Sequence, residues 1–338
     1  MDDTHVAARL GLGANHATWL RMLEALGPPP GGLPPVSPDA LDLAGIDAAD
    51  RADILATLPG NDTQAEWMWL LERAYHAART DVGDAEGTRP MPSLPPALGM
   101  RARCFWIVVF LCAIDDIRRW HRAHGVSDEI SRETLADLGR HTRLYRQRNG
   151  ATGLDTHWWI TLHFRGGLFS IGRLQYAPFH LLTGPAGPLF WYDEPAAAAL
   201  GTGFRRGDPA LGLHIPDAGP LTRAACTESF HRARRFFQAH FPEFAEAVAT
   251  CTSWLLDEQL LRYLDPDSNI VAFQRRFELV PGWRESDDST FHFVFGSTRD
   301  RIDELEPRTT LEHAIVQHVR SGGHWGMRTG WLRLGEQS

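Results

Sequence analysis

The chain has 338 residues with 43% hydrophobic and 22% charged content, enough for two ordinary domains with real cores. Its 42 acidic against 34 basic residues give a formal charge of −8, which excludes the basic footprint of a general nucleic-acid binder. All 34 basic residues are arginine. Mechanisms built on a lysine Schiff base or a phosphate-loop lysine are therefore excluded, and, the N-terminus apart, any amine in the chemistry arrives on a substrate.

The first hundred residues read as short helices separated by breakers. His16–Leu26 places Trp19, Leu20, Leu23 and Leu26 at helical spacing and stops at Gly27 and the Pro28–Pro30 run. Asp62–Arg79 repeats the pattern with Trp67, Leu70, Leu71 and Tyr75, before Pro90, Pro92, Pro95 and Pro96 break the chain. Helices over Met100–His124 and Ser131–Arg148 follow. The longest apolar run, Cys104–Ile114, has eleven residues. A bilayer span needs about 20, so this run is a core helix and no membrane span is expected. Asp2 and Asp3 stand where a secretory signal would be basic, and Cys104, Cys112, Cys226 and Cys251 lack paired short spacing. Both features suggest reduced, buried thiols in a cytoplasmic protein.

The texture changes at Gly150. His157–Phe164 is rich in aromatic and β-branched residues, and Leu168–Tyr176 resumes an extended pattern beyond Gly166 and Gly167, which predicts a β-hairpin. On that strand Trp158 and Trp159 would occupy alternate faces. A Gly/Pro/Ala-rich connection leads to a short strand, Leu211–Ile215. After Pro216-Asp-Ala-Gly219-Pro220, Thr222 is placed to cap a helix that buries Cys226, Phe230, Ala233, Phe237 and Phe241. An apolar run at Cys251–Leu256, a short helix from Asn269 and extended stretches at Phe277–Val280 and Phe291–Phe295 complete the pattern. The expected architecture is α+β: helices over residues 1–148, then a twisted mixed sheet flanked by helices over 149–338.

The segment Leu211–Phe241 is the most informative. A helix N-terminus presents unpaired N–H groups and the positive end of a dipole, and so suits phosphate. Gly219 permits close approach of the main chain, and Arg223 adds charge; a helix that starts after Gly-Pro and binds nothing is the plain alternative. The element order, Leu211-Gly-Leu-His-Ile-Pro216 running into Gly219 and its helix, and Ser268-Asn269-Ile-Val-Ala272-Phe273 together resemble the C-terminal half of the GNAT superfamily of N-acyltransferases. Gly172-Arg-Leu-Gln-Tyr176 and Cys251-Thr-Ser-Trp-Leu-Leu256 resemble a branch with a helical N-terminal domain before a GNAT-like C-terminal domain.

The resemblance implies an enzyme that moves an acyl group from a thioester donor to an amine of a small molecule or peptide. The donor would be acyl-CoA or the phosphopantetheine arm of an acyl carrier protein. It would be held at Leu213, Ile215, Gly219, Leu221, Thr222 and Arg223, with Asn269 and Arg276 nearby. The loop departs from the family's Gln/Arg-x-x-Gly-x-Gly/Ala, having one glycine and a proline without an N–H. The family's leaving-group tyrosine is also missing from Gln274-Arg275-Arg276-Phe277. These departures suit an inactive acyl-CoA- or carrier-binding regulatory module as the alternative.

A general base is needed to take the amine proton. His214 has a suitable ordinary pKa and lies on the strand beside the donor, unless it is simply packed or solvated at the strand edge. Asp257 and Glu258 are alternative bases or plain solvated acids. Asn269 either bonds the pantetheine arm or caps its helix. Sixteen histidines invite a metallohydrolase reading, yet no His-Glu-x-x-His cluster appears, and no metal is expected. His157 and His163 stand six residues apart on the presumed strand, and His313 and His318 face different directions on a helix. Asp115 and Asp116 precede Arg118 and Arg119, as salt bridges along a helix require.

Overall fold

The computed structural model describes residues 1–181, 199–201 and 203–337. The Gly/Pro/Ala-rich connection expected before Leu211 lies largely outside the described residues. The chain forms two compact units, Met1–Phe169 and Ser170–Ser338.

The first unit is helical apart from its last residue: α1 (Asp3–Leu10), α2 (Ala17–Leu26), a single turn at Ala40–Leu43, α3 (Ala48–Ala56), α4 (Ala65–Thr80), α5 (Met100–Ala123), α6 (Asp128–Leu135), α7 (Asp137–Asn149) and α8 (His157–Phe164). The apolar run of α5 is buried on every side, from Cys104 through Ile114, with Trp19 and Trp67 in edge contact with its Phe105. Asp116 accepts from the Tyr75 hydroxyl at 2.9 Å and pairs with Arg79 and, one turn along the helix, with Arg119 as the spacing predicted, whereas Arg118 pairs with Asp128. Ala136 divides the single helix expected over Ser131–Arg148 into α6 and α7.

The segment expected as the first strand, His157–Phe164, is helix α8. Its β-branched and aromatic composition suggested a strand, but His157, Ile160, Thr161 and Phe164 are buried at i, i+3, i+4 and i+7, the stripe of a helix, with His163 buried beside them. Tertiary burial along that stripe overrides residue preference. Gly166 and Gly167 end the helix rather than turning a hairpin. The Gly166 N–H donates to the His163 carbonyl and the Gly167 N–H to Leu162, a Schellman closure with Gly166 at φ +74°.

The second unit is built on a sheet of β1 (Phe169–Ile171), β2 (Leu174–His180), β3 (Pro209–His214), β4 (Val248–Ser253), β5 (Glu278–Leu279), β6 (Arg284–Glu285) and β7 (Gly326–Arg333), ordered β1-β2-β3-β4-β7-β5 with β6 paired to β7. The stretch expected as one strand, Leu168–Tyr176, is a hairpin of β1 and β2, turning at Gly172 and Arg173. Strands β3 and β4 run parallel around the crossover helix α9 (Arg223–His240). After α10 (Asn269–Gln274) come the short β5 and β6, then α11 (Asp287–Phe295) and α12 (Thr310–Arg320). The extended stretch expected at Phe291–Phe295 therefore lies in helix α11, with Phe291 buried beside Trp325 and Ile315.

Strand β7, absent from the sequence reading, pairs with all six residues of β4. Its glycines blunt the strand signal and are there for space. A methyl on Gly330 would sit 2.9 Å from Phe277, and one on Gly326 would overlap the Trp283 indole at 1.8 Å.

One buried hydroxyl staples the β1–β2 hairpin to α9. Ser229 donates to the Ile171 carbonyl at 2.6 Å and accepts from the Leu174 N–H at 3.3 Å, the two residues flanking the turn, and it meets the Tyr176 hydroxyl at 3.0 Å. Burial pushes the Tyr176 phenol far above its usual range, so it is protonated and donates. All three hydrogen-bonding positions of the serine are used. Ser229→Ala is expected to lower the unfolding free energy in urea by about 2 kcal/mol, because three buried partners lose their bond.

Candidate functional site

The β3–β4 ladder is short. Ala210, Leu211 and Gly212 face Val248, Ala249 and Thr250, and pairing stops there although both strands continue. Beyond that point Leu213 and His214 pair only with Tyr176 and Gln175 of β2, and Cys251, Thr252 and Ser253 only with Gly330, Thr329 and Arg328 of β7. Each strand is held by its outer neighbour while the two part from each other. Among the described residues, this V-shaped opening leaves strand edges with no ladder partner across it.

The loop from β3 enters α9 beside the opening. Gly219, at φ +94° and with open space where a side chain would be, holds a backbone conformation that glycine adopts without strain. Thr222 caps α9, its hydroxyl accepting from the Ala225 N–H at 3.2 Å, and Leu221 is buried beneath it. The first N–H groups of the helix point out of its end. Arg276, leaving α10, donates to the Thr227 hydroxyl at 2.8 Å and the Arg223 carbonyl at 3.2 Å. Arg223, Arg275 and Arg276, with Thr227 and Glu228, line a cleft of about 510 Å³. Two of the expected donor contacts, Arg223 and Arg276, thus stand in one cationic cleft. Asn269 is not its cap residue: the Ser268 hydroxyl caps α10, accepting from the Val271 N–H at 3.4 Å, and Asn269 is exposed on the first turn.

The two acids differ sharply. Asp257 is only 2% exposed, and its carboxylate accepts four bonds: from the Gln259 N–H and side chain (3.0 and 3.1 Å), the Gly326 N–H (2.7 Å) and the Trp283 indole (3.3 Å). It is a joint between the end of β4, the start of β7 and the Trp283 loop, with its lone pairs committed. Glu258 is exposed and paired to Arg328 at 3.0 Å. Both line a second, polar cleft of about 540 Å³ with Arg262, Trp283, His324 and Arg328. His214 lies elsewhere, at the last position of β3, with its ring turned back over Gly212 so that a methyl there would be 3.1 Å from Nε2.

Sequence reasoning missed Thr250. It is paired with Gly212 and Trp331, is 3% exposed, and its hydroxyl has no hydrogen-bond partner among the described residues; the Trp331 indole N–H is likewise unpartnered. Register placed on the sequence would have put both on the face shared with His214. The four thiols are buried and free, and burial raises Cys104 to about 11, Cys112 and Cys251 to about 12, and Cys226 upward, which leaves no thiolate nucleophile near neutral pH.

His157 and His163 share a helix rather than a strand, and each is engaged: His157 with the Met91 carbonyl at 2.8 Å and His163 with Asp137 at 3.0 Å. Trp158, on the same helix, is 61% exposed. Glu285, Asp287 and His324 converge from different segments. Asp287 there accepts from the Trp325 N–H at 2.7 Å and pairs with Arg299 at 3.0 Å and His324 at 2.8 Å, a hydrogen-bonded ion cluster.

These geometries separate structural from exposed acids by measurement. Asp257→Ala is expected to cost about 3 kcal/mol in denaturant unfolding, because it strands buried donors. Glu258→Gln is expected to change stability by less than about 0.5 kcal/mol, as befits an exposed pair.

Among the described residues no helix is long and apolar enough to cross a membrane. Residues 37–166 match the N-acyltransferase N-terminal domain and residues 168–332 the GNAT-like C-terminal domain. A comparison with curated proteins gave no match. Among solved structures, an acyltransferase in complex with decanoyl-CoA and teicoplanin is 38% identical, with 99% of this chain and 100% of that one covered and a TM-score of 0.85. An acyltransferase in complex with CoA and 10C-teicoplanin is similar to the same degree. An acyltransferase in complex with decanoyl-CoA is 37% identical over 98% of this chain and 99% of that one, again with a TM-score of 0.85. With a helical unit before a mixed sheet that parts between β3 and β4, the chain belongs to the N-acyltransferases of the GNAT superfamily, an enzyme family of acyl transfer.

Proposed function

We propose that the chain transfers an acyl group from acyl-CoA to an amine of a small molecule or peptide-derived acceptor, with the donor's pantetheine arm in the opening between β3 and β4. The observation that carries this is the loss of β3–β4 pairing after Gly212 and Thr250, next to a loop that ends at a capped helix N-terminus. Main-chain groups of Leu213 and Ile215 suit an extended amide arm, which would add to β3 as a strand would. The loop at Gly219 and the first turn of α9 suit the pyrophosphate, and Arg223 and Arg276 supply more positive charge than the single phosphodiester of a carrier-bound arm would need. That charge favours CoA as the donor over a carrier-bound arm. The relatives bound to decanoyl-CoA and teicoplanin support a medium-length acyl chain and a peptide-derived acceptor. A cytoplasmic location, where acyl-CoA is made, belongs to the same reading.

The chemistry follows from the thioester. The neutral amine attacks the carbonyl carbon, an oxyanion forms, the amine proton leaves, and the C–S bond breaks to release CoA thiolate. Exposed N–H groups at the opening are suited to stabilise the oxyanion. His214 is the preferred base, because it stands at the end of β3 beside the opening, whereas Asp257 has its lone pairs committed and Glu258 sits in the other polar cleft. Thr250, with its buried hydroxyl unpartnered on the same sheet face, is suited to contact the acyl or amine group.

Incubation with decanoyl-CoA and a panel of amines, teicoplanin included, is expected to release CoA thiol only when an acceptor is present. His214→Ala is expected to lower kcat by about a hundredfold with little change in KM for the donor. Tight binding of decanoyl-CoA with no turnover on any amine would instead select a regulatory binding module.

A further inference from the structure

The β3–α9 loop has one glycine and two prolines, yet under the proposed function it must present N–H groups to a pyrophosphate. The structure supplies a device that the loop's own sequence lacks. Arg173, at the β1–β2 turn, extends its guanidinium behind the loop and donates to three of its carbonyls: Pro216 at 3.0 Å, Gly219 at 2.7 Å and Pro220 at 3.2 Å. The turn that carries Arg173 is fixed by the Ser229 hydroxyl, which holds Ile171 before it and Leu174 after it.

We infer that Arg173 is a positioning residue for the donor pyrophosphate, acting by drawing three of the loop's carbonyls inward so that the N–H groups of Asp217 and Leu221 face out, while the Ala218 N–H is taken by the Pro216 carbonyl. This rests on the donor placement proposed above. In a planar trans peptide the carbonyl and the following N–H point in opposite directions, and the described chain contains no cis bond. Drawing in the carbonyls of Pro216 and Pro220 therefore turns the N–H groups of Asp217 and Leu221 away from the guanidinium. The Gly219–Pro220 peptide has a carbonyl but no N–H, so facing a phosphate it could only repel. Arg173 takes that carbonyl out of the site. A family loop with more glycines reaches the same orientation through backbone freedom; here a planar, multi-donor side chain imposes it from behind. Its positive charge also lies on the far side of the loop from the anion and attracts it through the peptide groups.

The test compares two donors on the full chain by calorimetric titration: decanoyl-CoA, and decanoyl-pantetheine, which has the same arm and acyl group without the pyrophosphate. Arg173→Ala is expected to raise the Kd for decanoyl-CoA about tenfold and to leave that for decanoyl-pantetheine within about twofold of the unaltered protein. Arg173→Lys, a compact ammonium that cannot span three carbonyls, is expected to fall between, and it serves as the informative variant if Arg173→Ala does not fold. Equal weakening of both donors, or no weakening of either, would overturn the role of Arg173. An unaltered protein that binds the two donors equally would overturn the donor placement itself, and this inference with it.

Discussion

A parallel strand pair that stops pairing halfway is the constraint on which this protein's second unit depends. Hydrogen-bonding groups at a strand edge are stable when paired or wet, and costly when buried alone. The sheet meets that requirement by giving each diverging strand a full ladder on its outer side: β2 holds β3 through His214, and β7 holds β4 through Ser253. Neither strand can follow the other, so the gap between them is built in rather than opened by a ligand. The polar joints serve the same end. Asp257 fixes β7 to the end of β4 through the Gly326 N–H, Gln274 bonds the carbonyls of Leu255 and Asp257 from α10, and Ser229 pins the β1–β2 turn to α9.

The absence of lysine acquires a structural meaning here. Every side-chain cation that cannot titrate in this chain is a planar fork with several donors, and the second unit uses that geometry repeatedly. Arg173 gathers three carbonyls, and Arg276, just past α10, donates to a carbonyl and a hydroxyl of the first turns of α9. Such contacts define position as well as charge, so the cationic cleft at the start of α9 is shaped as much as it is charged.

Much of this was legible in the residues. Helices α2, α4 and α5 and the segment of α6 and α7, the capped start of α9 at Thr222, the strand at Leu211, the family and the acyl-transfer chemistry followed from periodicity, turn residues and motif resemblance. What the sequence hid has identifiable causes. His157–Phe164 carries strand-loving residues on a helical burial stripe, so composition and periodicity conflict and burial prevails. Strand β7 is interrupted by Gly326 and Gly330, which are there because Trp283 and Phe277 fill the space of their missing side chains. Asp257 resembled Glu258 as a candidate base because part of what commits it, the Gly326 N–H and the Trp283 indole, comes from segments far away in the chain, while Glu258 stays exposed beside Arg328. Arg173 and Thr250 were invisible for the same reason: their significance lies in partners, or missing partners, that only the register supplies.

The most direct measurement is an electron-density map of the chain crystallised with decanoyl-CoA. The account predicts an extended pantetheine arm lying along β3 from Leu213 to Ile215, with the pyrophosphate against the main chain between Gly219 and Arg223 and the thioester at the widening between β3 and β4. Density for the arm elsewhere, with β3 and β4 drawn together beyond Gly212 and Thr250, would contradict it.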